Sequence, residues 1–490
     1  MSRFSRRDFI WRAAALGGGA AFAPSLRGLS AWSKDVYGAG HTGRAGRPAV
    51  SYGPLVQSEE VPELWIPQKF RVIRVSETRR PSLADPSFTV PAGVDGMAAF
   101  PLPNGNIRLI RNHELGDPPD RVSPIGARPY DALGAGGTTS LEIAVEGSGM
   151  SREVTLVREF VSLSGTHINC AGGPTPWGSW LSCEETSEGE PRIERWNGSF
   201  GGRQKDHGYI FEVPVSAESE VDPVAYKAMG RFVHEAIAVD PATGIVYETE
   251  DAYYNAERLD EMPGAGFYRF IPTRRGELGE GGRLQMLAID GAPRYEMTRG
   301  QTPGRSLNAT WVDIDDPDPT DAETRPDAVL QQGLARGAAI FNRLEGCWYG
   351  DGAIYFNSTN GGDQGAGQVW QYRPAGEDMG ELVLIFESPS RDVLNSPDNI
   401  CVSPRGGIVI CEDSGDDEFI RGLSPEGDIL DLVHQPVDPT GQRATTEFAG
   451  ACFSPDGQIL FFNVQGGTRS YGAQHGATYA LWGPWEEGPL

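Results

Sequence analysis

The sequence predicts an all-β chain folded as a six-bladed β-propeller with long loop insertions, and three observations carry that prediction. A turn followed by a run of strand formers recurs six times, with turn glycines at Gly105, Gly178, Gly244, Gly352, Gly406 and Gly457. Helix-period stripes are scarce, while 64 Gly and 37 Pro punctuate short apolar runs throughout the 490 residues. Short strands separated by such punctuation are the signature of a sandwich, barrel or propeller. Finally, every copy is bracketed by residues that can bind a metal. Asn112 and Glu114, Glu184 and Glu185, Glu250 and Asp251, Asn357 and Asn360, Glu412 and Asp413, and Asn463 follow the six runs. Asp95, Cys170, Glu235, Glu345, Asn399 and Glu447 lie seven to ten residues before the turn glycines. A turn between apolar runs is a hairpin, so both flanks of each copy end on the same rim. A sandwich or a parallel β-helix predicts no hairpins with ligand types at both ends.

The first element is an export signal. Ser5-Arg6-Arg7-Asp8-Phe9-Ile10 is a twin-arginine pattern, followed by a mild apolar stretch and the small-residue site Ala21-Phe22-Ala23. Residues 1–23 are therefore read as a signal for the twin-arginine translocation machinery, 24–60 as a lead-in, and 61–490 as a single propeller in the periplasm or outside the cell. No later run is long enough to span a membrane, so no stable anchor is expected. Turn glycines fall 73, 66, 108, 54 and 51 residues apart, against about 40–50 for a propeller blade. The longest interval reads as a lid-like excursion over one face. Its acidic segment, Asp313 to Pro319, reads as a solvated loop before it reads as a calcium site. Outer strands are expected at Tyr209–Val213, Phe267–Ile271, Gln368–Tyr372, Leu382–Glu387 and Thr478–Trp482.

Net charge is −25, and −28 once residues 1–23, with four Arg and one Asp, are removed. Such a surface repels phosphate backbones, which excludes a nucleic-acid role, and the chain is expected to be monomeric. Carboxylates recurring at matched positions would repel one another unless cations held them. The six cysteines (Cys170, Cys183, Cys347, Cys401, Cys411, Cys452) of an exported chain allow three disulfides. If Cys170 binds a metal, full pairing fails, and small buried thiols account for most of the others.

Three constellations carry chemistry. In the segment Asn169 to Glu185, a thiol opens one strand and carboxylates close the next. Calcium takes oxygen ligands, so a thiolate ligand at Cys170 would point to iron or zinc, while the residue taken alone reads as a buried structural thiol. His234-Glu235 precedes the third turn and Glu248, Glu250 and Asp251 follow it, with Glu248 and Glu250 on one face of a strand. Arg343 and Glu345 also share a face, which reads either as an internal salt bridge or as a guanidinium that clamps a phosphate beside a metal-binding carboxylate. No P-loop, dinucleotide fingerprint, Gly-x-Ser-x-Gly elbow or His-x-x-x-His pair is present.

Taken together these motifs resemble the PhoX family of exported, calcium- and iron-dependent alkaline phosphatases. The likeness rests on the twin-arginine signal and on Asn169-Cys170-Ala171-Gly172-Gly173 through Pro176-Trp177-Gly178 to Cys183-Glu184-Glu185. It extends to His234-Glu235 with Glu250-Asp251, Arg343-x-Glu345-Gly346, Asp398-Asn399 with Cys411-Glu412-Asp413, and Glu447 to Gly457. The resemblance implies a cluster of two Fe³⁺ and several Ca²⁺ joined by a bridging oxygen at the axial mouth. It implies Cys170 as the iron-binding cysteine, and Glu185, Glu250 and Glu345 as carboxylate ligands. Either member of Glu184/Glu185 and of Glu250/Asp251 fits the motif as the direct ligand. With Glu114, Glu235, Glu412 and Asp413 these complete the expected metal set. Arg343 is the implied phosphate-binding group and joins Glu345 as catalytic, and small-molecule phosphate esters are the implied substrates. Two other readings are a calcium propeller hydrolysing lactones or esters, which gives Cys170 and Arg343 no role, and a non-catalytic calcium-binding propeller.

Overall fold

The computed structural model describes residues 51–116, 122–189, 203–415, 417–437, 447–467 and 475–490. The signal segment and most of the lead-in lie outside these residues. Three strands precede the first blade: β1 (Leu55–Gln57), β2 (Trp65–Pro67) and β3 (Arg71–Glu77). β4 (Val94–Pro101), β5 (Ile107–His113), β6 (Gly136–Glu146) and β7 (Glu153–Thr166) form blade one. β8 (Asn169–Pro174), β9 (Ser179–Glu184) and β10 (Ile210–Pro214) form a three-stranded blade two.

Blades three and four are fused into one nine-stranded sheet. Blade three holds β11 (His234–Val239), β12 (Val246–Glu250), β13 (Phe267–Pro272) and β14 (Gly282–Ile289). β15 (Ser306–Asp313) pairs with β14 on one side and, on the other, with the outer strand of blade four. Blade four is β16 (Leu344–Gly350), β17 (Ala353–Ser358), β18 (Gln368–Pro374) and β19 (Gly380–Glu387). The long excursion is thus mostly structural rather than a lid. It supplies β13 to β15 and the helix α1 (Ala328–Ala335), which packs Val329, Leu330 and Leu334 with Met286. Its Asp318 accepts a hydrogen bond from Tyr209 at 2.6 Å and pairs with Lys227 at 3.0 Å.

β20 (Pro397–Val402), β21 (Ile408–Glu412), β22 (Glu418–Leu423) and β23 (Ile429–Gln435) make blade five, and β2 and β1 extend its outer edge. β24 (Phe448–Phe453), β25 (Leu460–Val464) and β26 (Ala477–Trp482) make blade six, completed by the early strand β3. Pairing of β26 with β3 ties the two ends of the chain into one sheet, which removes a free edge and closes the ring. A buried network crosses the seam beside it. Arg111 on β5 holds Glu159 on β7 at 2.9 Å and donates to Thr478 on β26 at 2.6 Å, while Ser76 on β3 donates to Glu159 at 2.7 Å.

The innermost strands β4, β8, β11, β16, β20 and β24 touch one another in that order, and β24 touches β4. The six turn-centred hairpins of the sequence are the six innermost hairpins of the propeller. Trp348 of β16 packs against apolar clusters belonging to several blades and stands at the centre of the ring. All six cysteines are buried and free.

Candidate metal centre

Each innermost strand skips a step in its pairing near its start. The skips fall between Val94 and Met97, Asn169 and Gly172, His234 and Ile237, Leu344 and Cys347, Pro397 and Ile400, and Ala449 and Cys452. A bulge sets two residues against one and re-aims the first side chain. The first bulged residues are Asp95, Cys170, Glu235, Glu345, Asp398 and Gly450. The second are Gly96, Ala171, Ala236, Gly346, Asn399 and Ala451, mostly very small, and they line the axis. Small size is demanded by the convergence: a Cβ on Gly96 would lie 2.5 Å from the Ala171 Cα, and one on Gly346 2.6 Å from the Asp398 carbonyl oxygen.

A second ring comes from the partner strands. Just past their ends stand Glu114, Glu185, Asp251, Thr359, Asp413 and Gln465. Their backbone N–H groups donate to the carbonyls of Gly93 (2.7 Å), Ile168 (2.8 Å), Val233 (3.1 Å), Arg343 (3.0 Å), Ser396 (3.0 Å) and Glu447 (3.1 Å). Each hairpin therefore fixes one bulge residue and one strand-end residue at the same mouth.

Eight of these residues, joined by Glu447 just before β24, meet in four overlapping groups, each with its ligand atoms within 4.8 Å of one another. They are Cys170, Glu185 and Glu235; Glu235, Glu345 and Asp398; Asp398, Asp413 and Glu447; and Asp95, Glu114 and Glu447. Shared members link all four groups, and every blade contributes. The Cys170 thiol donates to Glu235 at 3.0 Å. At about 4 Å, with an effective dielectric of about 20, two carboxylates repel by roughly 4 kcal/mol. Burial first, and the charge of neighbouring acids second, hold the carboxyls of Asp95, Glu235 and Glu447 well above the usual range and push Asp398 up to about 7. Burial likewise raises Glu345, against the pull of Arg343, and raises the Cys170 thiol.

The donor set fits metal ions. Asp95 Oδ1 and Glu235 Oε2 are buried carboxylate oxygens with no hydrogen-bond partner, a costly state that a bound cation removes. One group offers a thiolate with two carboxylates, suited to a transition metal, and the others offer oxygen alone, suited to a hard cation.

Arg343 is the cation held beside this ring. Its Nε and Nη2 donate to the two oxygens of Asp251 at 2.9 and 3.2 Å, and Nη1 donates to Asn360 at 3.2 Å. Nη2 also pairs with Glu345, and the guanidinium lies 5.1 Å from the centre of the Tyr253 ring. Its backbone is left-handed, with φ 48°.

Of the residues expected from sequence, the structure brings Cys170, Glu114, Glu185, Glu235, Glu345 and Asp413 into the cluster. Glu184, Glu250, Asp251 and Glu412 stand outside the four groups. Glu184 accepts the N–H groups of His167, Gly208 and Tyr209 and binds His207 Nδ1 at 2.6 Å. Glu412 accepts from the Asn395 N–H at 2.9 Å and from Arg421 at 3.0 Å. Glu250 accepts from the Gly266 N–H and the Tyr268 hydroxyl, and Asp251 grips Arg343. Strand alternation explains three of the four, because Glu184, Glu250 and Glu412 are the last paired residues of their strands and the next residue faces the mouth; Asp251 is that next residue in blade three, and Arg343 holds it. Asp95 and Glu447 flank the turns in the sequence but were not in the expected metal set. Asp398 takes the place expected for Asn399, which instead donates to Asp398 at 2.7 Å and accepts from the Gly450 N–H at 2.7 Å.

Fold and site together define a metal-dependent β-propeller enzyme, with one thiol and eight carboxylates closing on a single mouth. The family model for alkaline phosphatase PhoX matches residues 50–467, and the chain belongs to that family, which makes it a phosphoric ester hydrolase. Among solved structures, Pseudomonas fluorescens PhoX in complex with vanadate, a transition-state analogue, is similar in fold. Its TM-score is 0.63 at 18% identity, covering 90% of this chain and 99% of that one. A gluconolactonase from Xanthomonas campestris reaches a TM-score of 0.42 at 13% identity, covering 90% and 99%, too distant to carry an argument. None of the curated proteins compared with the chain matches it.

Proposed function

We propose that the chain is exported by the twin-arginine route and hydrolyses small-molecule phosphate monoesters at a mixed iron and calcium centre in the periplasm or outside the cell. The observation that carries this reading is the unequal ring: one group contains a thiol, and the others contain oxygen ligands alone. Cys170, Glu185 and Glu235 would hold iron. Asp95, Glu114, Asp413 and Glu447 would hold calcium, with Glu345 and Asp398 between the two. An all-calcium lactonase gives the Cys170 thiol no task.

When bound, the cations supply Lewis-acid polarisation of phosphoryl oxygens and reverse the local charge that would otherwise repel an anion. Arg343 binds and orients the phosphoryl group. Asp251 on one edge, Asn360 on another and Glu345 beside them hold the guanidinium plane before substrate arrives, so little is lost in ordering it. Tyr253 covers the guanidinium on one side. Glu345 thus couples the arginine to the metal ring.

Hydrolysis of p-nitrophenyl phosphate by the full chain, with its metals assayed in parallel, tests the reading. Arg343→Ala should lower kcat/KM by about 10²–10³-fold with metal content kept. Glu345→Gln should lower both. A fully metal-loaded wild-type protein without phosphatase activity would overturn the proposal.

A further inference from the structure

We infer that Gln465 is itself a ligand of the hard cation held by Asp95, Glu114 and Glu447, binding through its side-chain Oε1. The inference rests on the calcium assignment above. Gln465 occupies, in blade six, the strand-end position filled by Glu114 in blade one, Glu185 in blade two and Asp413 in blade five. All three of those residues belong to groups that could hold a metal ion, whereas Asp251 and Thr359, at the same position in blades three and four, do not.

Its contacts agree. Gln465 is 1% exposed. Its Nε2 donates to Asp95 Oδ2 at 2.9 Å and to Glu114 Oε2, and its backbone N–H donates to the Glu447 carbonyl at 3.1 Å. One side chain thus touches two members of the oxygen-only group and its backbone the third. The other oxygen of Asp95, Oδ1, is buried without a hydrogen-bond partner. An amide N–H between two carboxylates is the orientation that suits them without a cation. Turning the amide over about its last torsion exchanges Nε2 and Oε1 with little other movement. The same position then presents a carbonyl oxygen, a ligand type hard cations accept. The amide also explains how the ring takes a further donor without adding a ninth carboxylate.

Calcium titration of the full chain after removal of calcium by a selective chelator tests this, with iron content measured on the same samples. Gln465→Ala should weaken calcium binding by about 10- to 100-fold while iron content stays at the wild-type level. Gln465→Glu guards against a variant that merely folds poorly, since its carboxylate adds an oxygen beside the cation and calcium affinity should hold or rise. Ligand and hydrogen-bond donor are separated by the number of waters on europium(III) bound in place of calcium, read from luminescence lifetimes in H2O and D2O. If Oε1 binds the cation, Gln465→Ala gains about one such water. If Gln465 only donates to Asp95 and Glu114, the number is unchanged and the inference falls. Unchanged affinity in Gln465→Ala also overturns it. Wild-type protein that binds no calcium overturns the calcium assignment together with this inference, whereas wild-type binding with insensitive variants overturns this inference alone.

Discussion

Glu184 and Glu185 are adjacent acids with opposite tasks. Glu185 faces the mouth with Cys170 and Glu235, whereas Glu184 turns into blade two and accepts the N–H of His167, three residues before Cys170. The same brace recurs: Glu412 accepts from Asn395, three before Asp398, and His113 Nδ1 bonds the Ala92 carbonyl at 2.8 Å, three before Asp95. The two acids should therefore separate in experiment. Glu185→Gln should reduce bound iron and leave the melting temperature of metal-stripped protein unchanged or raised, since it removes one charge from the ring. Glu184→Gln should lower that melting temperature, since it weakens charge-assisted bonds from buried donors at a cost of about 1–3 kcal/mol. Thermal unfolding of both variants in chelator checks the contrast. The sequence shows that each strand ends in acids but not which residue is the last to pair. With side chains alternating at every step, that one-residue uncertainty decides between brace and ligand.

Most of the six hairpins approach the mouth through a lead-in of unusual backbone. Gly93, Ile168, Arg343 and Ser396 have φ of 61, 49, 48 and 52°, each two residues before the first bulged residue of its strand. Three of these are not glycine, and the left-handed conformation costs an L-residue about 1–2 kcal/mol. The strain lies where it aims the ligands, and hydrogen bonds from Glu185, Thr359 and Asp413 to the carbonyls of the three strained residues hold it in place. Ser396→Gly should relieve this strain and, after the roughly 0.5–1 kcal/mol entropic cost of glycine, stabilise the fold by up to about 1 kcal/mol in denaturant unfolding. Gly450→Ala should do the reverse. Its φ is 59°, and an added Cβ would stand 2.3 Å from the Asp95 carbonyl oxygen, so a loss of at least about 1–3 kcal/mol is expected. The hairpins themselves were legible because turn residues and alternating apolar runs are local signals. The bulges were not. They arise from the convergence of neighbouring inner strands, so the spacing before the turn glycine selects Asn399 where the structure uses Asp398. The joining of blades three and four through β15 was hidden for the same reason, since strands far apart in sequence pair there.

Across the whole molecule, the ring of acids works against the fold until cations occupy it. The carboxyls of Asp95, Glu235, Glu345 and Glu447 have pKa values raised by burial, and that of Asp398 is pushed up to about 7. Raised carboxyl values mean that the folded state binds more protons than the unfolded state, so metal-free stability falls as pH rises from about 4 through about 7. Metal-loaded protein should lack this loss. The gap in melting temperature between loaded and chelated protein should therefore widen from pH 5 to pH 8, as differential scanning calorimetry at matched ionic strength would show. A constant gap would mean that the acids do not meet their cations here. The overall charge of −25 and the repeated acids pointed to such a centre in the sequence, and the closed ring shows how all six blades reach it. The mixed metal centre is tested by elemental analysis of the protein purified without chelator, compared with Cys170→Ser. Iron and calcium should be found together in the wild type, with iron lost and calcium retained in the variant. Calcium without iron in the wild type, or iron that survives removal of the thiol, would contradict such a centre.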